Sequence, residues 1–374
     1  MKALNIRLYP TREQEILFYK YIGSQRYVYN WALAKNNELY KNENKKYSTA
    51  ELGKMLTEHK DEAKWLKEIS NATLKESIRC LDKAYMNFYK GQAKLPKFKS
   101  KKKSKNSFYS RYDRIKFYEN NIVKLEKIGK VKCKSSYNMD LTKISKFINP
   151  HISHNGRCWI LTLGIEIENR LHKTIDEVIG IDLGVKELAV CSNGMVFKNI
   201  NKTNQIKKLE KRLKHLQRKV SKKYESNKKG GRYLKTNNIK DLEKRINKLH
   251  RKLKNIRLDY THKCTSTIVK TKPCRIVMED LNIKGMIKNK HLSKAIQQQN
   301  LYKFIRQIEY KCEWNNIDFV QVDRFYPSSK MCSNCGNIKK DLKLSDRIYK
   351  CECGLTIDRD FNASLNLANY GKSL

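Results

Sequence analysis

Apolar residues change their spacing several times along this chain, and each change marks an element. Residues 1–10 read as a short strand; Thr11 with Gln14 three residues on makes a capping box, and Ile16, Leu17, Ile22, Val28, Trp31 and Leu33 then carry a long helix. Further helical patterns follow to about residue 90. Within 121–170 the stretches NIVKLEKIGKVKCK and RCWILTLGIEIE alternate apolar and polar residues at period two, which predicts strands. Between about 201 and 259, Ile206, Leu209, Leu213, Leu216 and Val220, then Leu242, Ile246, Leu249, Leu253 and Ile256 recur at spacings of three and four around a break at Gly230 and Gly231. That pattern predicts an antiparallel helical hairpin with a basic outer face, structural first and able to track a phosphate backbone. VIGIDLGVKELAVCSNGMVFKNI (178–200) reads as three short antiparallel strands with a turn at Asn193 and Gly194, RIVMEDLNI (275–283) as another strand, and IDRDFNASLNLANYG (357–371) as a helix start. The predicted class is α/β plus a small β-barrel interrupted by a helical lobe.

Charge changes the picture most. The 374 residues carry 81 Lys+Arg against 37 Asp+Glu, a formal net charge of +44, and self-repulsion on that scale calls for a polyanionic partner. A hydrophobic share of 39% supports packed domains. No stretch reaches the ~20 apolar residues that span a bilayer, and MKALNIRLYP lacks an apolar signal segment, so the expectation is a cytoplasmic, nucleoid-associated protein without a membrane partner. The charge concentrates in LPKFKSKKKSKNSFYSRYDRIKFY (95–118): Lys97, Lys99, Lys101, Lys102, Lys103 and Lys105 precede Phe108, Tyr109, Tyr112, Phe117 and Tyr118. Lysines neutralise phosphates, and rings stack on unpaired bases, with Tyr109 and Tyr112 the chosen candidates.

Carboxylates stand in apolar settings on three separate elements. Asp182 follows the run VIGI, Glu279 follows Ile276, Val277 and Met278, and Asp358 and Asp360 open a helix whose apolar face carries Phe361, Leu365 and Leu367. Burying such a group is costly unless a cation or hydrogen bonds compensate it. Acids converging from two strands and a helix could hold two divalent ions for phosphodiester hydrolysis, and hard oxygen ligands suit Mg²⁺ or Mn²⁺.

Eleven cysteines divide into two sets. Cys80, Cys133, Cys158, Cys191, Cys264, Cys274 and Cys312 are scattered and read as buried thiols of a protein in a reducing compartment. Cys332, Cys335, Cys351 and Cys353 form CxxC, a gap and CxC, with Gly336 and Gly354 supplying tight turns. Four thiolates on two turns fit a closed, structural Zn²⁺.

These residues resemble those of the TnpB family, the RNA-guided nucleases of insertion sequences that are similar to the compact ancestors of type V CRISPR effectors. The resemblance is carried by IRLYPTREQE, RYVYNWALA (26–34), LPKFKS, GIDLGVKELAV (180–190), VMEDLNIKGM (277–286), FYPSSKMCSNCG (325–336), CECG (351–354) and DRDFNASLN (358–366), in family order over nearly the whole chain. It implies a RuvC-like nuclease domain of the RNase H fold over 173–374, with a helical insert at 201–260 and a zinc insert at 326–356. It also implies a wedge barrel from 1–10 and 91–172, and a recognition lobe from 11–90. Asp182, Glu279 and Asp360 would be the catalytic acids, Asp360 because it precedes Phe361, Asn362 and Ala363. The implied partners are a guide RNA from the transposon end and a double-stranded DNA target cut beside a short motif; protein partners are not implied. CxC for CxxC and NAS for NAA are the departures. Two alternatives stay open: an unguided structure-selective nuclease, and a non-catalytic regulator of transposition that binds nucleic acid.

Overall fold

The computed structural model describes residues 2–102, 104–135, 141–143, 146–166, 173–343 and 346–374. The chain divides into two compact units, Met1–Glu168 and Asn169–Leu374.

In the first unit, alternation turns Leu4, Ile6 and Leu8 of β1 (Lys2–Tyr9) inward. Both halves of the capping box at Thr11 form, and they start α1 (Arg12–Glu43). α2 (Thr49–Glu62) and α3 (Asn71–Tyr89) complete the helical segment. Six strands follow: β2 (Ser107–Tyr109), β3 (Lys116–Tyr118), β4 (Ile122–Leu125), β5 (Gly129–Ser135), β6 (Ile148–His154) and β7 (Trp159–Ile165). They assemble in the order β2-β6-β7-β1-β5-β4-β3, with β1 antiparallel to both β5 and β7. The expected barrel is thus a half-barrel. Its ends are the three-residue strands β2 and β3, too short to supply the long ladder that closure needs.

Helices and sheet share one core. The Phe18 ring lies 4.8 Å from Trp159 and 5.6 Å from Phe108, and Tyr21 lies 4.8 Å from Phe108. Phe108 is therefore a buried core ring, and Phe117 packs 5.4 Å from Phe147. Phe108 is thus closed to a base, while Phe117 is half-buried. The expectation of seven buried thiols also narrows: Cys133, Cys191, Cys264 and Cys312 are buried, Cys158 and Cys274 are half-buried, and Cys80 is exposed.

The second unit opens with β8 (Ile175–Leu183), β9 (Glu187–Cys191) and β10 (Val196–Lys198), antiparallel as expected, with Gly194 at φ +84° in the turn. α4 (Asn204–Ser226), a small ribbon of β11 (Lys228–Lys229) and β12 (Arg232–Tyr233), and α5 (Asn237–Lys270) form the predicted hairpin. Ile206, Leu213, Leu249 and Leu253 are buried along its seam. α5 runs past the boundary at 260, because its last turns bury Cys264, Ile268 and Val269 in the sheet core. Next come β13 (Pro273–Glu279), α6 (Ile283–Lys288), α7 (Ser293–Gln299), α8 (Leu301–Asn315), β14 (Asp318–Val322), β15 (Ile348–Lys350), β16 (Thr356–Asp358) and α9 (Arg359–Lys372). The main sheet has the order β10-β9-β8-β13-β14, with β8, β13 and β14 mutually parallel. Among the described residues, no helix is long and apolar enough to cross a membrane.

Alternation along β8 and β13 gives this sheet two different faces. Ile179, Ile181, Ile276 and Met278 pack with Phe304, Ile308 and Cys312 of α8 and the end of α5. Val178, Val277 and Val322 pack with Leu367 and Tyr370 of α9. Gly180 lies directly against α9: a Cβ there would lie 2.0 Å from the Ser364 carbonyl oxygen and 2.5 Å from the Ala368 nitrogen. Both neighbours are helix backbone and cannot rotate away. Gly180→Ala is expected to force α9 off the sheet and to destabilise the chain by at least ~3 kcal/mol, measured by denaturant unfolding. A change below ~1 kcal/mol would show that α9 is not held at this distance.

Candidate active site and zinc centre

The same alternation aims the acids. Gly180 touches α9 at Ser364; two residues on, Asp182 is on the same face of β8, and one helical turn back from Ser364 is Asp360. Strand register adds the third group, since the Met278–Ile181 pair, continued by one residue, sets Glu279 beside Asp182. The carboxyl ends of two parallel strands and the amino end of a helix therefore bring the three expected acids to one place.

Their electrostatics reflect that. Asp182 is half-buried by surface area, but the protein packed around its carboxyl desolvates it. Together with the Asp360 and Glu279 charges, this pushes its pKa up to about 7, against the opposing pull of Arg359. Glu279 is raised too, by burial and then by Asp280. The other nearby acids have local employment. Asp358 caps α9, accepting from the backbone N–H groups of Asp360 at 3.0 Å and Phe361 at 3.1 Å. Asp280 pairs with Arg324 at 2.8 Å. Arg359 Nε lies 3.8 Å from Asp360 Oδ1. A site in which ionisation is resisted by like charges is one that a divalent cation would relieve, and an all-carboxylate set suits Mg²⁺ or Mn²⁺.

The four cysteines are drawn together more tightly. Among the described residues, theirs is the group of candidate ligand atoms lying within 4.8 Å of one another; the three acids are spread more widely. Cys332 and Cys353 sulfurs are 3.6 Å apart, as are those of Cys335 and Cys351. Tetrahedral Zn²⁺ with Zn–S near 2.3 Å requires sulfur separations of about 3.8 Å. The cluster is thus compatible with structural zinc, and CxC serves as well as CxxC here. Gly336 and Gly354, at φ +76° and +90°, make the turns that donate N–H back to the Cys332 and Cys351 carbonyls. A backbone N–H from Leu355 and the Asn334 amide lower the Cys353 thiol, while its neighbours Cys335 and Cys351 are raised, as when one thiolate is held among thiols.

Two residues without an assigned role in the sequence join this cluster to the acids. Asn362 and Asn366 of α9 are buried. Asn362 donates to the Met331 carbonyl at 2.7 Å and accepts from Ser333 N–H at 3.0 Å; Asn366 donates to the Ser328 and Met331 carbonyls at 2.7 and 2.6 Å. They tie the helix that begins at Asp360 to the loop that carries Cys332. The signal was present as two asparagines at i and i+4 among apolar neighbours.

The basic segment of the first unit is used unevenly. Lys97, Lys101, Lys102, Lys105 and Tyr112 are exposed. Lys99 also has exposed surface, but its Nζ stands 3.5 Å over the Tyr29 ring and its backbone exchanges hydrogen bonds with Asn30. Tyr109 is half-buried, 5.6 Å from His151. Both act within the fold. Lys103 lies outside the described residues.

A Streptomyces pristinaespiralis protein named "Putative RNA-guided DNA endonuclease" is 30% identical over 99% of this chain and 89% of its own length. The chain belongs to the TnpB family. InsQ of Escherichia coli K12, which bears the same name, is 30% identical over the whole chain and 93% of its own length. Family profiles agree: "Probable transposase" matches residues 164–290, and "Cas12f1-like, TNB domain" matches 302–367, the span of the cysteines. A "Helix-turn-helix domain" profile matches 1–46, which in this TnpB protein is β1 followed by the single long helix α1. The fold matches the Cas12f1 chain of a Cas12f1–sgRNA–target DNA complex at a TM-score of 0.59, with 14% identity over 98% of each chain.

Proposed function

We propose that this TnpB protein is an RNA-guided, metal-dependent DNA endonuclease, taking a guide RNA from its transposon end and cutting matched double-stranded DNA beside a short adjacent motif. The observation that carries the reading is the meeting of Asp182, Glu279 and Asp360 on one face of the sheet, in a chain of net charge +44 whose full-length relatives bear an RNA-guided endonuclease name. The sheet order, with two antiparallel strands beside three parallel ones and a helix laid across at Gly180, supports an RNase H-like, RuvC-type domain over 173–374. Residues 1–10 with 91–172 would serve as the wedge and 11–90 as the recognition lobe.

Asp182, Glu279 and Asp360 would hold the divalent ions, which when bound supply a nucleophilic water and stabilise the departing oxygen. The protein's own contribution is placement. β8 and β13 fix two carboxylates in adjacent register, α9 delivers the third, and Asp358 keeps the start of α9 wound by capping it. Specificity would come from base pairing, with basic side chains holding the heteroduplex by its backbone.

The test is cleavage by protein co-purified with RNA expressed from its own locus. Matched DNA should be cut in Mg²⁺ and spared in chelator, and mismatched DNA should be spared throughout. Cutting that ignores the guide would mean an unguided structure-selective nuclease. Guide-dependent binding without cutting by the wild-type protein would mean a regulator.

A further inference from the structure

In the segment FYPSSKMCSNCG the cysteines join the cluster, the Ser328 carbonyl accepts from Asn366, and the Tyr326 ring packs 5.2 Å from Tyr370. Phe325 has no such employment. Its ring is 87% exposed, the highest value for a large apolar side chain among the described residues; Leu374 at the end of the chain follows at 65%.

The backbone around this ring is held. Val322 ends β14 opposite Glu279 in the parallel register, and the Asp280 N–H donates to the Val322 carbonyl at 3.1 Å. The Asp323 carboxylate then accepts from the Phe325 N–H at 2.8 Å, and the Asp323 carbonyl accepts from the Tyr326 N–H at 3.0 Å, which closes a tight turn. Arg324 donates to Asp280 at 2.8 Å, and the Tyr326 hydroxyl donates to the Asn366 carbonyl of α9 at 3.3 Å. The two neighbours of Phe325 are thus tied, one to the residue after Glu279 and the other to the helix that begins at Asp360. A fixed turn leaves the ring in water.

Its place decides what it meets. Phe325 is three residues past Val322, so its backbone lies within ~11 Å of the residue paired with Glu279. A ring exposed there faces the nucleic acid that the carboxylates are to cut. The faces of a paired base are covered by its neighbours in the duplex, whereas an unpaired base offers one, and stacking accepts any of the four bases.

We propose that Phe325 stacks on an unpaired base next to the scissile phosphate and so sets which phosphate the acids receive. The inference rests on the endonuclease reading above. Basic side chains hold a backbone whose charge repeats at every nucleotide, and they leave its register free. A ring seated on one base fixes that register.

The test uses guide-loaded protein and matched DNA under single turnover. Phe325→Ala should lower the cleavage rate about 10-fold and spread the cut over neighbouring phosphates, whereas Phe325→Trp should keep both rate and position. Phe325→Leu, apolar but without a π-face, should behave like the alanine variant. Abasic sites placed singly along the cut strand should reveal one position at which the wild type slows about 10-fold and Phe325→Ala is unaffected. In chelator, where nothing is cut, 5-iodouracil at that position should photocross-link to Phe325, read by mass spectrometry. Unchanged melting temperatures check that the variants fold, since so exposed a ring contributes little to the core. If the wild-type protein cuts no DNA, the endonuclease reading fails and this inference falls with it. If it cuts, and Phe325→Ala cuts at the same rate and position, the stacking proposal fails and that reading stands. A loss in Phe325→Ala that is equal for intact and abasic DNA would also overturn the proposal, since the ring would then serve a protein contact.

Discussion

Replacing Asp182 by Asn is expected to lower DNA cleavage by at least ~10³-fold and, in the same molecule, to raise the stability of the metal-free chain above pH 7. The first effect would follow from losing one of the oxygens proposed to hold the ions. The second follows from linkage. The folded-state pKa of Asp182 is raised from 3.8 to about 7, so the fold favours the protonated form. Its stabilising contribution is complete below about pH 4 and is lost as pH rises through 7. At pH 8 the ionised carboxylate costs up to about 4 kcal/mol, at 1.36 kcal/mol per pK unit, and Asn removes that charge with little change in shape. Thermal melts in chelator at pH 5 and pH 8 read the effect directly: the variant should gain over wild type at pH 8 and little at pH 5. Added Mg²⁺ should narrow the gap at pH 8 by stabilising the wild-type protein alone. A variant no more stable than wild type at pH 8 would mean that Asp182 is not held against its charge.

Breaking the proposed zinc site is expected to be comparably severe, by a different route. Structural zinc sites of this ligand set contribute on the order of 10 kcal/mol to local folding. Cys332→Ser should cost the chain its equivalent of zinc, seen by metal analysis, and open residues 326–356 to proteolysis. It should also depress cleavage at least ~10-fold, although no cysteine contacts the acids' substrate in this scheme. The coupling runs through Asn362 and Asn366, whose hydrogen bonds to the Met331, Ser333 and Ser328 backbone hold α9 against the cysteine loop. When that loop loosens, Asp360 at the head of α9 loses its footing. Zinc loss with full cleavage retained would break this link and leave the cluster a purely local staple.

The causes of both effects were visible in the sequence. An aspartate set in an apolar strand announces a desolvated charge without coordinates. Four cysteines on two glycine turns announce a tetrahedral site. The capping box at Thr11, the turn at Gly194 and the hairpin break at Gly230 and Gly231 were legible for the same reason: each is settled by neighbours within a few residues. The helical and strand periods were legible because the protein is amphipathic element by element. Where the one-dimensional pattern misled, longer-range packing had intervened. Phe108 and Phe117 sit among lysines in the sequence, yet their rings enter the core of the half-barrel, and Lys99 is drawn onto Tyr29. Composition identifies a basic aromatic segment, but not which side of it faces inward. Likewise, α5 is one uninterrupted helical pattern whose first half pairs with α4 and whose second half belongs to the sheet core. Nothing in its periodicity marks the change of partner.

By itself, the sequence determined the inventory: which carboxylates stand in apolar settings, which thiols form a metal-sized set, and a net charge that calls for a polyanionic partner. Local chemistry decides these, since burial cost, turn geometry and net charge depend on residue type and near neighbours. Only the tertiary structure decided the constellation. Asp182, Glu279 and Asp360 are separated by about a hundred and by about eighty residues, and they meet because a parallel register and the absence of a side chain at Gly180 let β13 and α9 come close to β8.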